Sequence, residues 1–118
     1  MKLTKAIPIL YATDVSKSIA YFVEQLKFTH KWEWDEPATF GGVYREDVEI
    51  FFCKTDQGNP NTWFAIVVDN VDEYYELIKD SNAKIISPPD TKPWNMREML
   101  VECPDGHIVR FGHNTECD

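Results

Sequence analysis

Histidine and cysteine are the residue types in this chain best suited to bind a metal or act as a nucleophile. His107 and His113 lie six residues apart on or beside one predicted strand, which separates them by roughly 20 Å at about 3.3 Å per residue. They therefore cannot share a metal ion, and His30 is expected at the surface near another strand. Cys53 and Cys103 lie in apolar segments, which is typical of buried small hydrophobic residues. We expect structural roles for all five.

Aromatic side chains offer a second kind of chemistry. The chain has 4 Trp, 5 Tyr and 7 Phe, or 14% aromatic residues, and planar ligand rings are held well by such side chains. Residues 32–36 (WEWDE) set Glu33 and Asp35 beside the indole of Trp34. This segment suits a cationic ligand. The alternative is a solvated loop whose charges face water.

The overall charge narrows the choice of partners. With 12 Lys and Arg against 20 Asp and Glu, the formal net charge is −8, which argues against binding to nucleic acid or to an anionic membrane. It is compatible with a cationic ligand, although many proteins are acidic for solubility alone. The N-terminus has no apolar run typical of a signal peptide or membrane span. Three widely spaced cysteines do not indicate a disulfide framework, so we expect a cytoplasmic protein.

The elements that position these residues begin with a strand at 5–11, whose Pro8 favours an edge or a crossing point. Asp14 is a plausible N-cap for a helix with apolar residues at helical spacing. Three strands are then predicted, at 28–34, 39–45 and 47–54. A turn-rich linker follows them.

The second half repeats this order. A strand is predicted at 62–69, and Asn70 can cap the helix that follows it. Pro88, Pro89 and Pro93 predict an irregular stretch after the strand at 83–87. The last three strands are predicted at 83–87, 96–103 and 107–112, with a Pro-Asp-Gly turn before the last of them.

The two halves therefore share the order βαβββ, and Asp14 corresponds to Asn70 in this alignment. We expect one α+β domain over residues 1–118, with one module at about 5–54 and the other at about 62–113. Each half has a small core and exposed strand edges, which pairing of the halves would bury. The alternative is an unrelated α+β sandwich.

Several segments, spread over nearly the whole chain, form a recognisable set. They are 6–10 (AIPIL), 14–15 (DV), 26–28 (LKF), 94–98 (WNMRE) and 103–107 (CPDGH). Together they resemble the glyoxalase/bleomycin-resistance/dioxygenase (vicinal oxygen chelate) superfamily, and the chain is most similar to its bleomycin resistance proteins. The resemblance departs from the usual pattern at Lys27 and Asn95, where glycine is usual.

The resemblance implies where a metal would be bound, because enzymes of the superfamily hold a divalent cation with His, Gln and Glu side chains. Here these positions are occupied by Ile7, Trp63, Arg110 and either Phe51 or, if the register slips by two residues, Glu49. Ile, Trp and Phe cannot ligate such a cation, and Arg would repel it. We therefore expect no metal, no cofactor and no catalysis. The alternative is a metal-dependent lyase, isomerase or dioxygenase.

The resemblance also implies a homodimer that binds a small heteroaromatic ligand, which can be cationic, in a cleft between its two chains. Trp94 and Phe40 would stack on the ligand rings, and Trp63 would plug or line the cleft. Pro8 would mark the point where an N-terminal arm crosses to the partner. Our first hypothesis is therefore bleomycin-type antibiotic resistance by sequestration. A binder of some other small molecule is the second hypothesis, since Asn95 alters the loop that carries Trp94.

Overall fold

Each half of the chain folds as a strand, a helix and three further strands, in a computed structural model that describes residues 1–116. Cys117 lies outside the described residues. The first half contains β1 (Ile9–Tyr11), α1 (Val15–Glu24), β2 (Thr29–Trp34), β3 (Phe40–Arg45) and β4 (Val48–Cys53). The second half contains β5 (Trp63–Val67), α2 (Val71–Ile78), β6 (Lys84–Lys92), β7 (Met96–Glu102) and β8 (Ile108–Asn114), with a short 3₁₀ turn at Pro104–Gly106. This order confirms the predicted α+β fold class.

The strands form two sheets of the same design. The first has the strand order β1-β4-β3-β2 and the second has the order β5-β8-β7-β6. In each sheet the first strand of the half runs parallel to the last, and the other neighbours are antiparallel. The middle of each sheet is therefore built from the last two strands of its half.

Both helices begin at the predicted caps. The Asp14 carboxylate accepts a hydrogen bond from the Lys17 backbone N–H at 3.1 Å, and the Asn70 side-chain oxygen accepts one from the Glu73 N–H at 3.0 Å. Each bond satisfies an N–H group that has no partner within the helix. Each helix then packs its apolar stripe on one face of its own sheet, and Gly41 allows α1 to approach closely.

Two tyrosines fasten the halves to each other. The Tyr21 hydroxyl on α1 donates to the Glu102 carbonyl at 2.7 Å and accepts from the Lys84 N–H at 3.0 Å. Tyr74 on α2, in the second half, donates to the Leu26 carbonyl of the first half at 2.8 Å. Burial raises the pKa of Tyr21 to about 12, so the hydroxyl remains a donor at neutral pH. The buried apolar side chains of both halves form one core.

Two strands differ most from their predicted bounds. β6 continues through Pro88 and Pro89, where the sequence predicts irregular chain. A strand tolerates proline here because β6 lies at a sheet edge and the prolines fall at a register irregularity between Ser87 and Asp90. β1 is shorter than predicted and begins after Pro8, whose carbonyl accepts the Phe51 N–H at 3.0 Å.

The chain as a whole is a slab of 47 × 42 × 22 Å, about the thickness of one helix layer on one sheet layer. Gly41 and Val43 on β3 are buried on the side of α1, whereas Phe40 and Tyr44 alternate with them and point to the opposite side. The side of each sheet that faces away from its helix is called its open face below. No helix among residues 1–116 is long and apolar enough to span a membrane.

Candidate functional site

The open face of the first sheet (first open face) carries a cluster of three aromatic rings, Trp32, Phe40 and Phe51. Trp32 stacks on Phe40 with ring centroids 5.1 Å apart and planes 23° apart. Phe51 meets the other two edge-on, at 5.2 Å from Trp32 and 5.8 Å from Phe40. Trp32, Gly42 and Phe51 are in register across three strands, and a Cβ on Gly42 would lie 2.7 Å from Trp32 Nε1. Because Gly42 has no side chain, the indole of Trp32 can pack directly against the backbone at this position.

Trp34 extends the first open face, while its acidic neighbours do not. Trp34 pairs with Phe40 and is 67% exposed. Glu33 points to the helix side, where it accepts a hydrogen bond from the Ser16 hydroxyl at 2.8 Å. Asp35, with φ 73°, accepts the hydroxyl of Thr39 within its own turn. Strand alternation thus separates Glu33 from the aromatic surface with which the sequence grouped it, whereas Asp35 lies in the turn after β2.

A buried carboxylate lies farther along the first open face. Glu49 is 6% exposed, and its two oxygens meet Lys31 Nζ at 2.7 Å and Lys5 Nζ at 2.9 Å. The hydrogen bonds from Lys31 and then Lys5 hold the pKa of Glu49 below its usual value. Both oxygens therefore have cationic partners already, and Lys5 fastens the N-terminal segment to its own module.

The open face of the second sheet (second open face) carries another buried carboxylate, with partners of a different kind. Glu98 is 4% exposed, and its Oε1 accepts a hydrogen bond from Trp94 Nε1 at 2.6 Å. Its Oε2 lies 2.9 Å from Arg110 Nε. The indole of Trp94 remains 56% exposed. Trp63 also lies on this face and is 58% exposed in the single chain.

Asn95, at a position where glycine is usual, has a left-handed backbone conformation in the turn that carries Trp94. Its φ is 64°, which is the left-handed region that Asn tolerates better than most residues. The Asn95 carbonyl accepts the Thr115 N–H at 2.9 Å, and its amide donates to Glu116 at 2.7 Å. Lys27, at the other position where glycine is usual, has the same φ of 64°.

Strand register decides which β4 residue corresponds to the metal position. Ile9 lies five residues before Asp14, and Ala65 lies five before Asn70. Ile9 pairs with Phe51, and Ala65 pairs with Arg110. Phe51 is therefore the counterpart of Arg110, and Glu49 is not.

The four positions at which the resemblance implies a metal thus hold Ile7, Phe51, Trp63 and Arg110, and this set offers no carboxylate, imidazole or amide donor. Within residues 1–116, no three His, Cys, Asp or Glu side chains are grouped to hold a metal. The residues present do not fit the divalent cation of the superfamily enzymes.

Two histidines have structural partners, as the sequence predicts. His107 is buried, accepts the Thr62 N–H at Nδ1 and lies 2.7 Å from the Tyr11 carbonyl through Nε2. His113 accepts the N–H of Val71, the first residue of α2, at 2.9 Å. Each side chain joins two separate elements.

A groove of about 810 Å³ lies elsewhere, between the β3–β4 turn, the end of β5 and α2. Its walls include Val48, Asp69, Tyr74 and Leu77. None of the residues that the sequence singled out for ligand binding lines it. The aromatic surfaces and the groove are therefore separate candidates for a binding site.

Three residues of the open faces, Trp32, Gly42 and Glu98, have no predicted role of their own in the sequence analysis. Period-two alternation from Trp34 back to Trp32 could have placed both indoles on one face. The Trp94–Glu98 hydrogen bond depends on a turn geometry that no local pattern specifies.

The fold and its two open faces define a protein of paired βαβββ modules. The family model of the Glyoxalase/Bleomycin resistance protein/Dioxygenase superfamily matches residues 6–111. The chain belongs to this superfamily, whose name covers both enzymes and resistance proteins.

Solved structures of the same fold support this assignment. The bleomycin-binding protein of Streptomyces verticillus, solved with copper(II)-bleomycin, is 26% identical with a TM-score of 0.78, over 94% of this chain and 96% of that one. TioX from Micromonospora sp. ML1 is 19% identical with a TM-score of 0.82, over 94% and 98%. The bleomycin resistance determinant of transposon Tn5 is 22% identical with a TM-score of 0.77, over 97% and 100%. No curated protein sequence matches the chain.

Proposed function

We propose that this protein binds a small planar molecule on its open faces and gives bleomycin-type resistance by sequestration. The observation that carries the proposal is the exposure of three indoles: Trp34 at 67%, Trp63 at 58% and Trp94 at 56%. Exposed apolar rings cost free energy in water, and stacking a ligand ring on each adds about 0.5–1.5 kcal/mol beyond burial. The similarity to a bleomycin-binding protein supports the choice of ligand.

The proposal requires no catalytic step. The positions at which the resemblance implies a metal hold side chains that cannot ligate a cation, and this favours sequestration over a metal-dependent lyase, isomerase or dioxygenase mechanism. Sequestration needs only protein in excess of the drug and sufficient affinity. A micromolar dissociation constant corresponds to about −8.2 kcal/mol, which a few stacked rings and buried contacts can provide.

We further propose that two chains form the ligand cleft as a homodimer. A slab 22 Å thick leaves both open faces uncovered by the described chain, and a second copy could cover them. The N-terminal segment supports an exchanged arm, since residues 1–6 are exposed and Leu3 is 87% exposed. In the single chain, however, Lys5 and Pro8 contact the chain's own β4. Deleting residues 1–4 and measuring the solution mass separates a dimer that needs the arm from one that does not.

The charge and the cysteines support two further parts of the proposal. A net charge of −8 favours a ligand with a cationic portion. Glu33 and Asp35 already accept hydrogen bonds from Ser16 and Thr39, so we propose that they act on such a portion through long-range attraction rather than direct pairing. The buried free thiols of Cys53 and Cys103 support a reducing compartment, and we propose the cytoplasm.

Isothermal titration with bleomycin, metal-free and copper-loaded, tests the proposal. We expect saturable heat at one ligand site per cleft, and Trp94→Ala should weaken binding about tenfold through loss of its stacking surface. Leu77→Ala is the matched control, because Leu77 is 49% exposed on α2 and lies in the groove rather than on an open face. Absence of heat at high drug concentration would refute bleomycin as the ligand. Saturable binding of an unrelated planar molecule would then favour the second hypothesis.

A further inference from the structure

Arg110 occupies a central place on the second open face. Its strand β8 lies inside the sheet, and Arg110 pairs with Ala65 on one side and Leu100 on the other. Trp63 lies on the same face, two residues before Ala65 on β5, and it pairs with Ile108 of β8. Arg110 is therefore a half-exposed cation set among the apolar side chains of Ala65 and Leu100, near the exposed indole of Trp63.

The salt bridge between Arg110 and Glu98 involves only the Nε atom of the guanidinium. Glu98 Oε2 lies 2.9 Å from Nε, and a guanidinium has five N–H donors in a fixed plane. Arg110 makes no other ion pair among residues 1–116, and its side chain is 48% exposed. Its terminal amino groups therefore remain available to a ligand on this face.

Glu98 also fixes the direction of the neighbouring indole. One carboxylate holds Trp94 through Oε1 at 2.6 Å and Arg110 through Oε2 at 2.9 Å. Since Glu98 is only 4% exposed, water does not compete strongly for its hydrogen bond with Trp94 or for its salt bridge with Arg110. The flat indole and the planar guanidinium are consequently held side by side by a single buried group.

The first open face has no such arrangement. Its lysines, Lys5 and Lys31, both contact Glu49, whose two oxygens they saturate. Its rings Trp32, Phe40 and Phe51 pack mainly on one another. A polar donor set next to an exposed ring is thus a property of the second open face.

We propose that the second open face recognises a carboxylate attached to a planar aromatic ring. Trp94 stacks on the ring, the terminal amino groups of Arg110 donate to the carboxylate, and Glu98 is a positioning residue for both. Guanidinium and carboxylate groups match in geometry and form paired, charge-assisted hydrogen bonds. The inference rests on the part of the proposed function in which the open faces bind a planar ring, and it concerns planar ligands other than bleomycin.

Calorimetric titration with 2-naphthoate and its uncharged analogue 2-naphthamide tests this inference on the full chain. We expect the acid to bind about tenfold tighter than the amide, which corresponds to about 1.4 kcal/mol. Arg110→Gln should abolish this preference by weakening the acid about tenfold and the amide by less than about twofold. Arg110→Lys keeps the positive charge beside Glu98 but removes the planar guanidinium that can donate two parallel hydrogen bonds. This variant should lose part of the preference for the acid over the amide.

Lys84→Gln is the matched control, since Lys84 is an exposed cation on the same sheet whose partner is Glu102. It should leave both affinities unchanged. Three results would overturn the inference. They are equal binding of acid and amide, no binding of either, and a preference for the acid that persists in an Arg110→Gln variant whose melting temperature is unchanged. Bleomycin titration decides the proposed function separately: heat with the drug but no acid preference refutes only the carboxylate site.

Discussion

Replacing Gly42 with alanine is the sharpest perturbation of the first open face. A Cβ at this position would lie 2.7 Å from Trp32 Nε1, 3.1 Å from Phe51 Cδ1 and 3.2 Å from Trp32 Cε2. Two of these contacts are to the indole, and contacts below 3.0 Å cannot persist. The Trp32 ring must therefore move away from the sheet.

The size of the effect follows from what Trp32 loses. It forms ring pairs with Phe40 and Phe51, each worth about 0.5–1.5 kcal/mol beyond burial. If instead the ring stays and the backbone shifts, overpacking costs about 1–3 kcal/mol. Both routes give a loss of about 2 kcal/mol in the free energy of unfolding, and only the first also reorganises the aromatic surface.

Gly41→Ala is the matched control, one residue away and on the other side of the strand. Its Cβ would meet Ile19 Cδ1 at 2.7 Å, on the side of α1. We expect both variants to lower stability in urea unfolding, but only Gly42→Ala to change the near-ultraviolet circular dichroism of the indoles. An unchanged aromatic spectrum together with unchanged stability in Gly42→Ala would refute the packing described for Trp32.

Three further predictions concern stability and reactivity. Glu49→Gln should lower the melting temperature at pH 7. Because the folded-state pKa of Glu49 is depressed by its two lysines, the difference should persist above about pH 4.3, the ordinary glutamate value, and vanish as the pH falls through the lower folded value. Asn70→Ala should cost about 1 kcal/mol in urea unfolding through loss of the α2 cap; no change would contradict the cap. In a Cys117→Ser background, a thiol reagent should modify Cys53 and Cys103 only on unfolding, because both are buried and burial raises the pKa of Cys103. Rapid labelling of the folded protein would contradict their burial.

The fold could be predicted from the sequence because its signals are local and repeated. Asp14 and Asn70 each precede an apolar stripe at helical spacing, and each caps a helix as predicted. The extension of β6 through Pro88 and Pro89 could not, since proline is excluded from inner strands but tolerated at an edge. Which strand forms the edge depends on pairing over long sequence separations.

The candidate site was predictable only in part, for a similar reason. The residue types at Trp94 and Phe40 indicated aromatic recognition, but the contact of Trp94 with Glu98 depends on how one turn is folded. Glu33 was grouped with its neighbours by sequence adjacency, whereas strand alternation sends it to the opposite side of the sheet. Gly42 drew no attention because its role is to leave space for a residue ten positions earlier.

A crystal structure of the protein soaked with copper(II)-bleomycin tests the central claim most directly. We expect ligand density between open faces, in contact with Trp94 of one chain and with planar groups stacked near Phe40. No metal should be bound by Ile7, Trp63, Phe51 or Arg110. Density confined to the groove beside α2, or none on either open face at saturating drug, would contradict the assignment of these surfaces as the binding site.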